Sequence, residues 1–428
     1  MIPALPSAAY RKSVLPNGLR VLTSAMPHTY SVAISVYVGA GSRYETAPES
    51  GVSHFVEHML FKGTSTRPSP QLISEAIDSV GGVLNAATDR EFTVYYAKVA
   101  RRHLDLALDV LVDLVRRPLF DPEELEKERK VVLEELASVA DSPGQQVDLL
   151  LDELLWPEQP LGWDVAGSKE SIEGLTREMT LDYMGRQYLP SNMVVSIAGN
   201  VDHDEVTDLV ASKFAGASAG APGAWFPARN GQDAPRCSVL YKRTEQSHIA
   251  MAVRGLPLEH PDRYAIDLLS VLFGEGMSSR LFVELRERRG LCYDVHAYVS
   301  HFLDAGSFGV YAAVDPSRGR DAVAALVSEL IKLRDGIPEE ELHKAKELSK
   351  GRLLLRMEDT RAVSAWLGSQ EMLTRHVLTP EEVVARIDAV APEDISRVVD
   401  TILVRNHLNL AIVGPHKSEK RFLSLLDL

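Results

Sequence analysis

The sequence predicts an α+β protein of two homologous modules, each a mainly antiparallel sheet covered by helices on one face. Three observations carry this. Stretches that alternate apolar and polar residues, as half-buried strands do, are interleaved with stretches of helical spacing. Residues 215–224 contain only Ala, Gly, Ser and Pro, with no side chain large enough to dock, and read as a linker. Beyond them the pattern restarts at an offset of about 215 residues. Ile249–Val253 echoes Val32–Val36, and Gly306–Val314 echoes Thr93–Val99. Ala322–Leu333 echoes the helical run after His103, Pro338–Leu342 echoes Pro122–Leu125, and Leu408–Gly414 echoes Met193–Gly199. The expected domains are therefore 1–214, a linker over 215–230, and 231–428.

The elements follow in order. Asn17-Gly18 between two alternating runs predicts a hairpin, because a type I′ turn needs φ > 0 at both central residues. Ser31–Val38 alternates as a strand and is broken by Gly39-Ala40-Gly41-Ser42. Helical spacing runs from Gly51 to Phe61 and again from Gln71 to Val80, where Gly81-Gly82 stops it. Val83–Val99 is rich in Thr, Val, Tyr and Phe and reads as strand, and His103–Arg116 as an amphipathic helix. Asp121-Pro122-Glu123-Glu124 opens another helix, expected to run through Leu136: an N-cap acid, Pro in the first turn, then acids at the positive end of the helix dipole. Met193–Ala198 is a buried strand ending at Gly199-Asn200.

Composition narrows the function. The net charge of −14 lacks the basic footprint that displaces counterions from nucleic acid. The densest basic cluster is Arg286, Arg288 and Arg289. Two cysteines, Cys237 and Cys292, make neither a disulfide framework nor a Cys-rich zinc site, and both are expected as buried free thiols. No apolar run approaches the ~18 residues that span a bilayer. Met1–Pro6 lacks a basic region and a sustained apolar one, so no secretory signal is expected and the reading is cytoplasmic.

The chemistry lies in His54-Phe55-Val56-Glu57-His58. On a helix, residues 54 and 58 share a face, and two imidazoles so spaced can grip one zinc ion. Glu57 can stand beside water at the metal without being a ligand, the inverted form of the His-Glu-x-x-His motif. The bland alternative is a solvated helix that happens to carry these residues. It fits poorly, since Val52, Phe55, Val56, Met59, Leu60 and Phe61 leave little polar face, and a buried His-Glu-His cluster without a metal is costly to desolvate. A catalytic zinc site usually has a third protein ligand. The acidic helix over 124–135 is the best source. There Glu128 and Glu135 lie two turns apart on one face, while Glu134 is turned away by about 100°.

At these residues the sequence resembles the inverzincin metallopeptidases of the pitrilysin, insulysin and mitochondrial-processing-peptidase group. It is most similar to the small single-chain prokaryotic branch related to the processing-peptidase β subunit. Gly51–Thr64 resembles the family's active-site segment, and Glu128–Glu135 its third-ligand helix. Gly81–Thr88 resembles the strand that receives substrate, and Gly274–Phe282 the family's Gly-rich segment, with Glu275 where relatives often carry Gly. Leu285-Arg286 and Gly290–Tyr293 resemble its Arg–Tyr pair.

The resemblance implies one Zn2+ per chain, held by His54, His58 and Glu135. Glu57 would be the general base and then acid, and Glu128 a supporting acid. Arg286 and Tyr293 would face the zinc from the opposite wall, stabilising the oxyanion or holding the peptide backbone. Asn85 and Ala86 would lie on an exposed edge where a peptide adds as a strand. Longer relatives close four such modules into a chamber, so this two-module chain is expected to dimerise. A homodimer is the simplest form, and a heterodimer with an inactive homologue the other. The expected function is zinc endopeptidase action on short or unfolded peptides. The alternative is a non-catalytic scaffold subunit of a processing-peptidase-like heterodimer. A pocket for basic side chains would draw on Asp141 or Asp148, although each reads first as a solvated surface acid.

Overall fold

The structure, a computed structural model, describes residues 10–217 and 220–426. Met1–Pro6, read above for a leader, and Ser218 and Ala219 of the linker lie outside the described residues. The chain runs β1 (Tyr10–Val14), β2 (Arg20–Ala25), β3 (Ser31–Val38), α1 (Val52–Leu60), α2 (Pro70–Asp78), β4 (Val83–Thr88), β5 (Thr93–Ala100), α3 (Leu104–Arg116), α4 (Pro122–Asp141) and α5 (Pro143–Leu155). It continues with α6 (Lys169–Gly174), α7 (Arg177–Gln187), β6 (Met193–Gly199) and α8 (His203–Lys213). Beyond the linker come β7 (Arg236–Tyr241), β8 (Ser247–Arg254), α9 (Arg263–Gly274), a π-helix (Phe282–Arg288), β9 (Cys292–His301) and β10 (Gly306–Val314). The chain ends with α10 (Gly319–Lys332), α11 (Glu339–Arg356), α12 (Thr360–Thr374), α13 (Pro380–Ala389), α14 (Pro392–Ile402), β11 (Asn409–Gly414) and α15 (Lys420–Leu423).

The two sheets share one topology. The first has the order β1-β2-β6-β3-β5-β4, the second β7-β11-β8-β10-β9. Apart from β1 they match strand for strand. In each, one parallel pair (β2 with β6, β7 with β11) sits beside antiparallel neighbours. The repeat legible in the sequence is thus a repeat of fold.

Two compact units result, and they are not two consecutive stretches of chain. One comprises the residues through Leu136, Asp164–Phe226 and Leu354–Glu381; the other Ala137–Trp163, Pro227–Leu353 and Glu382 onward. In the first unit α1 and α3 bury their apolar faces in one core with β3 and β5. Val52, Phe55, Val56, Met59 and Leu60 of α1 are all fully buried, and each such side chain contributes about 1.5–3 kcal/mol relative to exposure. Helix α12, from late in the chain, crosses the opposite face of that sheet, with Val363 and Leu367 against Leu22, Tyr37 and Val194. Ser364 fixes it, its one hydroxyl proton serving Ser35 Oγ or the Ser196 carbonyl, each 2.9 Å away. In the second unit α5, from early in the chain, packs Val147 and Leu151 against Ala250 and Val413.

Some boundaries differ from the sequence reading. The run 83–99 is two strands, folded back at a turn closed by Asp89 N–H on the Phe92 carbonyl at 2.9 Å. α4 runs on to Asp141, because nothing breaks it before Ser142-Pro143. Its start is as expected, with Asp121 Oδ1 accepting from Glu123 N and Glu124 N at 2.9 and 3.2 Å. Cys237 and Cys292 are free, but half-buried rather than buried. Among the described residues no helix is long and apolar enough to cross a membrane.

Candidate active site

Helix α1 places His54 and His58 one turn apart, and α4 brings Glu135 to them. His54 Nε2 and His58 Nε2 lie 3.2 Å apart, and Glu135 Oε2 lies 3.9 and 3.5 Å from them respectively. Two ligands about 2.0–2.1 Å from one tetrahedral ion stand roughly 3.3–3.4 Å apart, so the three atoms span nearly one face of such a tetrahedron. Among the described residues this is the only group of three or more His, Cys, Asp or Glu able to hold a metal ion. The donor set, two imidazoles and a carboxylate, suits zinc.

The surroundings fix the rings. His58 Nδ1 meets Glu128 Oε1 at 2.8 Å, the carboxylate–histidine arrangement that leaves Nε2 free to ligate. Glu128 Oε2 is held in turn by Lys62 Nζ at 2.5 Å. Burial tends to raise the Glu128 carboxyl, but the bonds from His58 and Lys62 outweigh it and hold the group below its ordinary range. Burial pushes His54 down to about 4, with the neighbouring His58 charge adding. It also opposes protonation of His58, where the bond to Glu128 and three nearby carboxylates prevail and raise the pKa. His54 Nδ1 is buried without a partner.

Glu57 is turned toward the sheet, where Thr88 of β4 donates to its Oε2 at 2.5 Å. Burial raises its carboxyl above the ordinary range, a shift in the direction a proton-carrying group needs. β4 is the last strand of its sheet and packs against α1. Ala86 faces the core and Asn85 is exposed. The Ala86 N–H bonds to the side chain of Asn85 at 2.8 Å.

Arg286 and Tyr293 lie together in the second unit. The π-helix brings the Arg286 guanidinium between two rings, 4.6 Å from Phe282 and 4.5 Å from Tyr293, and it donates to the Tyr293 carbonyl at 3.0 Å. The Tyr293 side chain is exposed. Glu275 is tied to Arg352 at 2.5 Å. Asp141 is 92% exposed and 3.9 Å from Lys242. Surrounding protein pushes Asp148 up to about 6, with the Asp152 charge adding.

Sequence reasoning gave no role to Lys62, Thr88 or Glu45. Lys62 is one helical turn beyond His58, and Thr88 shares the parity of Ala86 along β4, so both carried a signal. Glu45 carried none, since its partners are backbone amides.

Residues 20–169 match the family model described as Insulinase (Peptidase family M16), and residues 174–349 that described as Peptidase M16 inactive domain. The chain is 38% identical to an "uncharacterized zinc protease" of Mycobacterium tuberculosis over 98% of this chain and 96% of the other. It is 36% identical to one of Streptomyces coelicolor, over 96% and 90%. The crystal structure of a protease from Helicobacter pylori superimposes with a TM-score of 0.88, at 23% identity, covering 96% of this chain and all of the other, and so shares its fold. With relatives this similar over nearly their whole length, the chain belongs to the insulinase family, peptidase family M16, and is a zinc-dependent hydrolase of peptide bonds.

Proposed function

We propose that the chain is a zinc endopeptidase of short or unfolded peptides, with His54, His58 and Glu135 as its metal ligands. When bound, zinc polarises the scissile carbonyl and makes water acidic enough to attack near neutral pH. The chain's own residues do the rest. Glu57 takes the proton from the attacking water and returns it to the leaving amine. Glu128, held by Lys62, orients His58. A peptide adds to the open edge of β4 at Asn85 and Ala86, held by main-chain bonds, with its scissile bond beside α1. This mode reads backbone before side chains and requires an extended substrate. Arg286 and Tyr293, already aligned on one another, steady the oxyanion or the peptide backbone of a second copy across a homodimeric chamber.

The observation that carries this reading is the trio of donor atoms with Glu57 beside it. A quenched fluorogenic peptide tests it. Cleavage should stop with a chelator and resume with zinc, and Glu57→Gln should lower kcat by about 10²–10⁴-fold. Full activity in that variant overturns the mechanism. The second reading, a non-catalytic subunit paired with an active homologue, is compatible with the match of 174–349 to the inactive-domain description. It predicts cleavage only when another chain is added.

A further inference from the structure

Helix α1 begins on Gly51, whose φ of 89° is a conformation glycine adopts without strain but which brings no side chain to receive the helix's free amides. A residue outside the helix receives them. Glu45 Oε2 accepts from Gly51 N–H at 2.7 Å and Oε1 from Ser53 N–H at 2.8 Å. Glu45 is wholly buried. A buried carboxyl group is costly unless hydrogen-bonded, and here the N-cap amide and a first-turn amide each take one of its oxygens; burial still outweighs these bonds and pushes the carboxyl up to about 7. The start of α1 is held on other sides too. Ser53 Oγ bonds Tyr183 Oη at 2.7 Å, and a Cβ on Gly51 would come within 2.6 Å of the Ala166 carbonyl oxygen. The counterpart helix α9 carries no ligand set, and its N-cap residue Asp262 makes no side-chain bond to it.

His54 follows Ser53 directly, and α1 has nine residues, so a displaced first turn carries His54, Glu57 and His58 with it. The geometry points to Glu45 as the positioning residue of the metal-binding helix: by clasping the amides of Gly51 and Ser53 it fixes the turn from which both imidazoles project. Glu45 touches neither metal nor substrate. Its effect passes through the spacing of the two Nε2 atoms and the aim of Glu57. The inference rests on the zinc-site reading above.

The test is Glu45→Gln, which keeps the shape and removes one of the two acceptor oxygens. Zinc affinity, measured by chelator competition, should fall about tenfold, the lower end of what outer-shell partners contribute. kcat at saturating zinc should fall about tenfold while KM for peptide moves less than about twofold, because the edge of β4 is untouched. With cobalt at saturation, the visible absorption band should shift, which a merely structural role would not produce. Glu45→Asp keeps the charge but is one methylene short, and should recover part of the affinity. Wild-type affinity, kcat and cobalt band in Glu45→Gln overturn the inference. Amide exchange of the metal-free wild-type protein tests the clasp itself without a mutant. Slow exchange at Gly51 and Ser53 supports the clasp, and exchange at solvent rates contradicts it. His54→Ala separates the two layers. If it binds zinc as tightly as wild type, the site reading itself fails, whereas a weak His54→Ala beside an unchanged Glu45→Gln removes only the positioning role.

Discussion

The two units carry one strand order and two different chemistries. Helices α4 and α11 show how little separates them. Aligned on Leu125 and Leu342, both buried, the offset is 342 − 125 = 217, which sets Glu128 against Ala345 and Glu135 against Arg352. Glu128 and Ala345 are both buried, so the positions correspond. In the first unit one of the pair bonds His58 and the other belongs to the trio able to hold a metal ion; in the second, one is a methyl group in the core and the other an ion pair with Glu275. The first unit follows β3 with a helix bearing two imidazoles. The second follows β8 with Gly255-Leu256-Pro257 and then α9, whose sequence is mostly apolar. The apolar pattern sets the fold in both, and a handful of polar side chains on the same scaffold decides whether it offers a set of metal ligands.

This comparison can be broken at its corresponding positions. The largest effect is expected from Ala345→Glu, which puts a carboxylate at a buried position. An uncompensated buried charge should cost about 3 kcal/mol or more, read as a shift in denaturant midpoint, and no second zinc should bind. A variant as stable as wild type would mean that α11 does not keep the environment of α4. Next comes Glu128→Gln, which leaves an acceptor for His58 but removes the charge. Zinc affinity should fall about 10–100-fold by chelator competition, and the metal-free protein should also lose stability, because Lys62 keeps its charge without its partner. Equal affinity would leave Glu128 without a part in the site. The smallest effect belongs to Arg352→Met. Its ion pair with Glu275 is half-exposed, so the loss should stay under about 1 kcal/mol and zinc affinity should not move. A large change there would tie the second unit's loop to the metal.

Much of this was legible in the sequence, for physical reasons that differ by element. His54, Glu57 and His58 declare themselves because they interrupt an otherwise apolar helix. The repeat was visible because buried strands such as β6 and β11 are short apolar runs ended by glycine. The reversal between β4 and β5 was hidden, since 89–92 (Asp-Arg-Glu-Phe) lacks the Gly, Pro or Asn-Gly that marks a turn. The crossing of α5 and α12 into opposite units was also hidden. An amphipathic helix announces that it has a sheet to cover but not which one. Glu45 was invisible for a third reason, because a carboxylate bound only to main-chain amides leaves no pattern in side-chain identity.

The most direct test is anomalous diffraction at the zinc edge from crystals grown with zinc. The account predicts one peak per chain, about 2.0–2.1 Å from His54 Nε2 and His58 Nε2, with the Glu135 carboxylate completing the contact. A peak placed elsewhere, or His54, His58 and Glu135 turned away from the ion, would contradict it.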